Sequence, residues 1–469
     1  MADKITGARA AQPAIKEGGG GGLEKVDIIS NEDETKKVSV VNSVAALLYY
    51  ESILQDAVRA TVTFTDTGGS VDDKTAMEGL PIVGQENVEV QMRDNNDNEL
   101  KMTLYINSVT PLVEDTKKSI IQLDLASKEY IMNEKVRINK RFNGKISEHV
   151  KKILEEPIYL RSEKEIDIEE TSNEQNYIGN NKKPFYIINW LSRSAVPSEG
   201  NADAPGQSAG YFFWETSEKF HFKSIDGLMN TEVNKPKKSY IYNESPDATA
   251  GIPEGYDGKA LEYNVNNKVN IQDKLKMGAY STRLITFDPY NCKYQVINPN
   301  AGNTPGADES SEGNEKNLKM SGKKLPVLNK EFNIEEKSKD FSRTTYYVLD
   351  NGALPSGSGE GEGQEQIEKS KKENYKPAEV LNQGIMRMNQ LFALEATITI
   401  PGDFSLHAGD AVYVDAPELK EDNKNMEVNK QTGGNYVIAD VCHYLSAKHT
   451  LTRLNLVRDS FGRKPKGRG

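Results

Sequence analysis

Cysteine is nearly absent: Cys292 and Cys442 are the two in 469 residues, which excludes a disulfide framework and fits a reducing compartment. Long apolar runs are missing. Nothing approaches the roughly eighteen consecutive apolar residues of a membrane-spanning helix, and Met1-Ala-Asp-Lys opens without the apolar core of a secretory signal. The expectation is a chain made in a cytoplasm and used or assembled there, with no membrane insertion. Positive charge is short as well, with 59 Lys and Arg against 70 Asp and Glu and a formal net charge of −11. That excludes a sequence-independent nucleic-acid binder, which needs a basic face. It leaves room for a passage that nucleic acid slides through, because an acidic wall repels phosphate.

The motifs of chemistry are missing too. The five histidines include no His-Glu-x-x-His pair. Gly18 to Gly22 follows no strand and precedes no Gly-Lys-Ser/Thr, so it is not a phosphate loop. Gly206-Gln-Ser208-Ala-Gly210 matches a nucleophile elbow in letters only, since a loop precedes Ser208 and a strand follows it, the reverse of the required order. Cys442, His443 and His449 are three groups at most, and alternation along a strand sends Cys442 and His443 to opposite faces, so they cannot share a metal. His149 and His221 have no neighbour in sequence that suggests a base or a ligand. Asp72-Asp73, Glu155-Glu156 and Glu169-Glu170 read as solvated acids rather than a glycosidase pair, which needs one carboxyl raised by an apolar pocket. No catalytic, cofactor-binding or metal residue is assigned, and no enzyme or cofactor is expected.

What is present is strand. In 392–458, Ala396, Ile398 and Ile400 alternate with Glu395, Thr397 and Thr399, the period of two that gives a sheet one buried face. Pro401-Gly402-Asp403 turns the chain, Ala408-Gly409-Asp410 opens the next strand, and Gly434 to Tyr444 and Thr450 to Arg458 make two more. A second region has the same plan. Ala60 to Asp66 alternates Val62 and Phe64 against threonines, Gly79 to Gly84 makes a turn, and Val88, Val90 and Met92 share one face. Leu100 to Ile106 and Ser119 to Leu125 complete at least five strands. The two regions read as two copies of one small antiparallel barrel.

Between them the period changes. Ile146, Val150, Ile153 and Leu154 fall on one helix face that Pro157 stops, and a second helix starts at Pro184 with Ile187, Ile188, Leu191 and Ala195 inward. Tyr211 to Thr216 and Lys219 to Asp226 form a hairpin packed on that helix. The fold class is mainly β with an α+β insert. The domains are a flexible arm 1–36, a first barrel 37–135, the insert 136–235, a second barrel 236–460 and a basic tail 461–469. The second barrel region holds strand-like text at Lys274 to Met277, a helix at Pro377 to Leu394, and low-complexity inserts at 298–325 and 351–376 that bury too little to order alone.

Taken in order, Phe142-Asn-Gly-Lys-Ile-Ser-Glu-His-Val-Lys-Lys-Ile-Leu154, Ile188-Asn-Trp-Leu-Ser-Arg-Ser-Ala195, Gly210-Tyr-Phe-Phe-Trp-Glu-Thr216 and a barrel with Pro401-Gly402, Ala408-Gly-Asp410 and Gly434-Asn-Tyr-Val-Ile438 resemble the baseplate central-hub proteins of contractile-tailed phages. More distantly they resemble the hub part of type VI secretion spike proteins. Glu51-Ser-Ile53 and Gly79-Leu-Pro-Ile-Val-Gly84 look like the T4-like branch. The resemblance implies tail-tube-like barrels and a homotrimer whose pseudo-sixfold ring joins the sixfold tube to the threefold central spike. The implied partners are the tail tube and spike proteins, with wedge and tape-measure proteins beyond them and DNA only as cargo passing through the channel, in a virion assembled in the host cytoplasm. Two alternatives share part of this reading: a hub component of a contractile secretion machine, and a tail-associated carbohydrate-active protein.

Overall fold

The computed structural model describes residues 22–69, 74–115, 117–198, 209–231, 233–242, 255–266, 271–278, 282–288, 293–297, 341–348, 394–416, 432–446 and 449–458, with scattered positions at 252, 339 and 384–392. The arm before residue 22, the inserts 298–325 and 351–376, the tail, Ser208, Asp72-Asp73, Cys292 and most of the 377–394 helix lie outside the described residues.

The fold is mainly β. The first seven strands are β1 (Gly22–Ile29), β2 (Lys37–Ser39), β3 (Val44–Ser52), β4 (Arg59–Asp66), β5 (Asn87–Arg93), β6 (Glu99–Glu114) and β7 (Ser119–Ala126), with the short helix α1 (Ala76–Gly79) before β5. They form because apolar residues return every second position. Val88, Val90, Met92, Leu100, Met102, Leu104 and Ile106 all point into one core while Glu, Gln, Lys and Thr alternate outward. The strands lie side by side as β2-β1-β5-β6-β7-β4-β3. β1 falls inside the stretch expected to be a flexible arm. Val26 and Ile28 are fully buried by its ladder to β5, a long-range pairing that the polar neighbours Glu24 and Lys25 hide in the sequence.

The insert follows as α2 (Lys128–Lys135), β8 (Arg141–Phe142), α3 (Ile146–Glu155), β9 (Glu165–Ile168), β10 (Tyr177–Ile178), α4 (Pro184–Ser192), β11 (Tyr211–Glu215), β12 (Lys219–Ser224) and α5 (Ile225–Met229). Its core joins α3 and α4 to the β11-β12-β9 sheet, with Phe185 of α4 against Phe213 and Phe220. This is the hairpin-on-helix packing expected of Tyr211 to Asp226. Trp214 goes the other way, into the core of the last region.

Seven further strands repeat the first set. They are β13 (Lys238–Tyr242), β14 (Gly258–Ala260), β15 (Glu262–Asn266) and, after an excursion, β19 (Leu394–Pro401), β20 (Ala411–Asp415), β21 (Gly434–Ser446) and β22 (Thr450–Arg458). Their side-by-side order is β14-β13-β20-β21-β22-β19-β15, the order of the first set strand for strand. β13 pairs β14 and β20 in parallel, where β1 pairs β2 and β5 antiparallel, so the second set is not purely antiparallel. The excursion holds α6 (Ile271–Met277), β16 (Thr282–Asp288), β17 (Lys293–Ile297) and β18 (Arg343–Val348), a separate three-stranded sheet. Lys274 to Met277, expected as strand, lies in α6; alternation over four residues cannot outweigh the i, i+4 spacing of Ile271 and Leu275.

Pairing registers align the two sets residue by residue. Ala60 faces Leu125 as Ala396 faces Leu456, which superposes Ala60-Thr-Val-Thr-Phe64 on Ala396-Thr-Ile-Thr-Ile400. A bulge falls between Ile106 and Ser108 in β6 and between Ile438 and Asp440 in β21, the same place in each. Among the described residues no ladder closes either sheet into a barrel. The two end strands of each sheet are nonetheless neighbours in the chain: β2 and β3 flank residues 40–43, and β14 and β15 flank Leu261 alone.

Candidate functional site

The two repeats meet along one ladder. The outer edge of β3 pairs with β21, from Asp440↔Ser52 to Ser446↔Ala46, so the last strand of the first sheet seats on the middle of the second. At this seam Glu51 is buried with 2% of its surface exposed. Its carboxylate accepts from the Tyr49 hydroxyl at 2.8 Å, the Ala408 N–H at 3.0 Å and the Ser217 N–H at 3.1 Å, and lies 3.0 Å from His407 Nδ1. One carboxylate thus clasps the first repeat, the second repeat and the insert. Burial alone would raise Glu51, but the His407 charge and hydrogen bond, helped by Ala408 N–H, bring it down to about 2. His407 is lowered by burial and raised by Glu51 and Asp410, with the rise winning.

His443 lies beside the clasp. Its ring stacks on Tyr49 at 6.1 Å, meets Phe404 edge-on at 4.9 Å, and places Nδ1 2.9 Å from Thr452 Oγ1. Burial lowers it to about 4, so it is neutral near pH 7. The structure keeps Cys442 and His443 apart as alternation required, Cys442 half-buried beside Tyr50 and His443 fully buried. Among the described residues no three His, Cys, Asp or Glu side chains are grouped to hold a metal ion.

A cleft of about 640 Å³ opens between the insert and the second repeat, lined by Trp214, His221, Asp167, Lys223, Gly409 and Asp410 among others. Here His221 has partners that its local sequence did not offer. β9 runs parallel to β12 and sets Asp167 opposite His221, with a carboxylate oxygen 3.4 Å from Nδ1 and another 2.5 Å from Lys223 Nζ. The hydrogen bond from His221 and the charge of Lys223 hold Asp167 below the usual carboxylate range. Thr216 Oγ1 lies 3.4 Å from His221 Nε2, so a hydroxyl, an imidazole and a carboxylate stand in a row. The row is not a nucleophile triad in geometry. Thr216 is 1% exposed, and its hydroxyl donates to Lys219 O at 3.1 Å and accepts from Lys219 N, closing the hairpin turn. His221 stacks on Trp214 at 4.8 Å, which makes the pair a wall of the cleft. No sequence signal pointed to it, because the partner lies 54 positions upstream on another strand.

The acidic pairs read as solvated find ordinary roles. Glu155 and Glu156 bridge to Lys151 and Lys152 one helical turn earlier, and Glu169 accepts from Ser224 N and Oγ, helping fix the start of α5.

No family model and no curated protein matches the sequence. Among solved structures the chain is similar to a tail protein from Neisseria meningitidis MC58, at 10% identity over 94% of this chain and 98% of that one, TM-score 0.48. It is similar to the 43 kDa tail protein of prophage MuSo2 from Shewanella oneidensis, at 10% identity over 94% and 100%, TM-score 0.49. It is also similar to a component of the type VI secretion system of E. coli, at 10% identity over 90% and 76%, TM-score 0.41. The structural neighbours of this chain are thus phage tail and baseplate proteins and proteins related to secretion spikes. Likenesses of this size carry no function from one chain to another.

Proposed function

We propose that the chain is the structural hub of a contractile-tail baseplate, three copies forming a ring that joins a sixfold tail tube to a threefold central spike and encloses the channel between them. The observation that carries this reading is the duplicated strand order, β2-β1-β5-β6-β7-β4-β3 and β14-β13-β20-β21-β22-β19-β15. A threefold ring of such a chain presents six near-equivalent sheets upward and three chains downward, which is what a sixfold-to-threefold adaptor needs. On this reading each sheet is one wall of a tube-like barrel, bent at 40–43 and at Leu261 so that its ends meet. The charge of −11 per chain suits a passage that does not retain DNA. No chemistry is assigned to the seam or the cleft, and the protein works by shape, in the virion.

Native mass spectrometry and light scattering of the full chain test it. The expected species has three times the 52.1 kDa chain mass. A monomer at all concentrations up to tens of micromolar, with and without a spike chain, overturns it.

A further inference from the structure

Among the described residues the duplication leaves one contact made and its twin unmade. β21 has two halves on one edge: Gly434 to Val437 pairs β20, and beyond the bulge Asp440 to Ser446 pairs β3 of the other repeat. β6 is built the same way. Asn87 to Arg93 of β5 covers its first half, the bulge follows at Ile106, and Ser108 to Glu114 runs on along β7. The approach to the bulge matches in detail, since Gln85 N and Glu86 O bond Ile106 as Gly409 N and Asp410 O bond Ile438. Yet among the described residues no strand covers the outer edge of β6 from Ser108 onward. The difference shows in burial at matched positions. Val441 and His443 of β21 are 1% and 0% exposed, whereas their counterparts in β6, Val109 and Pro111, are half-buried and exposed.

The other half of the unmade contact is also present. β15 corresponds to β3, pairing β19 from Glu262↔Thr399 to Asn266↔Glu395 as β3 pairs β4. β3 uses its second edge on β21; the second edge of β15 has no strand on it among the described residues. A polar rung ends at the same place. Thr397, Asn455 and Asp440 are linked across three strands, and Ser52 of β3 adds a fourth member, bonding Asp440 at 2.5 Å. The rung Thr61, Asp124, Ser108 occupies the same three positions and ends at the β6 edge.

We infer that β15 of one copy pairs antiparallel with the outer edge of β6, Ser108 to Glu114, of the next copy, reproducing between chains the β3–β21 ladder within each chain. The occupant is a second copy of this chain because the missing strand is one this chain carries, with its second edge unpaired among the described residues. The contact is head-to-tail, so each copy has one β6 edge to fill and one β15 to give, and the assembly closes where the rotation returns to the start. Register follows from the internal ladder: Cys442 faces Tyr50, so Thr110 of one copy faces Asn266 of its neighbour. Pro111, in the place of His443, removes one N–H from the edge and limits indiscriminate pairing by the free subunit. The inference deepens the ring proposed above and rests on it for the number of copies.

The test is cross-linking of the full-length chain with Cys292 and Cys442 replaced by serine. Thr110→Cys with Asn266→Cys in one chain, oxidised with diamide, should give a ladder of covalent oligomers that ends at the ring size. Mixing Thr110→Cys chains with Asn266→Cys chains should give covalent dimers only, and neither single variant should link alone. As a measure free of substitutions, amides of 108–110, 112–114 and 262–266 that face the new ladder in the wild-type chain should exchange at least tenfold more slowly in the assembly than in monomer diluted below assembly. A native trimer without cross-links and without that protection overturns the β6–β15 contact and leaves the ring standing. Cross-linking of Thr110→Cys alone overturns the head-to-tail geometry. Monomer at every concentration overturns ring and contact together.

Discussion

Asp124 and Asn455 hold the same position in the two repeats, and their difference in one atom is matched by their neighbours. Asp124 accepts on both sides, from Thr61 Oγ1 at 3.3 Å and from Ser108 Oγ at 2.8 Å. Asn455 accepts from Thr397 Oγ1 at 3.0 Å and donates its Nδ2 to Asp440 Oδ2 at 2.9 Å. A carboxylate needs donors on each side, and an amide needs an acceptor on one. The chain supplies serine in the first case and aspartate in the second.

That pairing gives a prediction by exchange. Asp124→Asn turns an amide donor toward Ser108 and loses a charge-assisted bond, at a cost of about 1–2 kcal/mol. Adding Ser108→Asp rebuilds the Asn–Asp pair of the second repeat and should recover most of the loss. Urea midpoints of the wild type, both single variants and the double variant close the cycle. A double variant no more stable than the sum of its parts would show the two rungs to be unrelated.

The Glu51 clasp predicts a larger effect. Glu51→Gln places an amide N–H₂ among donors from Tyr49, Ser217, Ala408 and His407, and removes the main group that raises His407 against its burial. Breaking a buried pair from one side costs about 3–5 kcal/mol. The loss should appear as a lower urea midpoint, with protease cuts in the insert and the 404–410 loop that the wild type resists. An unchanged midpoint would mean that the seam is held by its ladder alone.

Much of this was legible from residue order. Alternation located β4, β5, β19 and β22, helix spacing located α3 and α4, and the recurrence of turn and strand announced the duplication. Pairing across distance was not legible. β1 looked like an arm because Val26 and Ile28 are two apolar residues in polar text, and only the β5 ladder makes them core. The Asp167–His221 contact depends on a parallel pairing of strands more than fifty positions apart, and the Glu51 clasp joins positions 51, 217 and 407, which no local pattern connects.

Three shifted groups at the seam set opposite slopes of stability against pH. His443, lowered by burial from 6.5 to about 4, is neutral when folded, so its unfavourable term grows as pH falls from 6.5 to about 4. His407 is raised, so its contribution is full below 6.5 and lost as pH rises through the folded value. Glu51, lowered from 4.5 to about 2, contributes fully above 4.5 and loses that contribution as pH falls toward 2. Stability should therefore peak near pH 6.5 in urea titrations. His443→Gln should flatten the acid side and His407→Gln the alkaline side. The same profile in both variants would assign the pH dependence to other groups.

Gly409 and Gln85 precede Asp410 and Glu86, the residues that bond the two bulges, and both have left-handed backbones, with φ of +91° and +75°. Their surroundings differ. A Cβ on Gly409 would stand 2.4 Å from Trp214 Cζ2 and 3.2 Å from Cε2, and the indole cannot retreat easily because Nε1 donates to Ala408 O at 3.0 Å. Gly409→Ala therefore combines backbone strain of about 1–2 kcal/mol with overpacking of about 1–3 kcal/mol, and should lower the urea midpoint sharply while shifting Trp214 fluorescence. Gln85 already bears the strain without a clash, so Gln85→Gly relieves it and should change stability by no more than about 1 kcal/mol, with gain the expected sign. A Gly409→Ala protein as stable as wild type would show that the loop before β20 moves freely against the insert, and the wall of the cleft formed by Trp214 and Gly409 would then lose its rigidity.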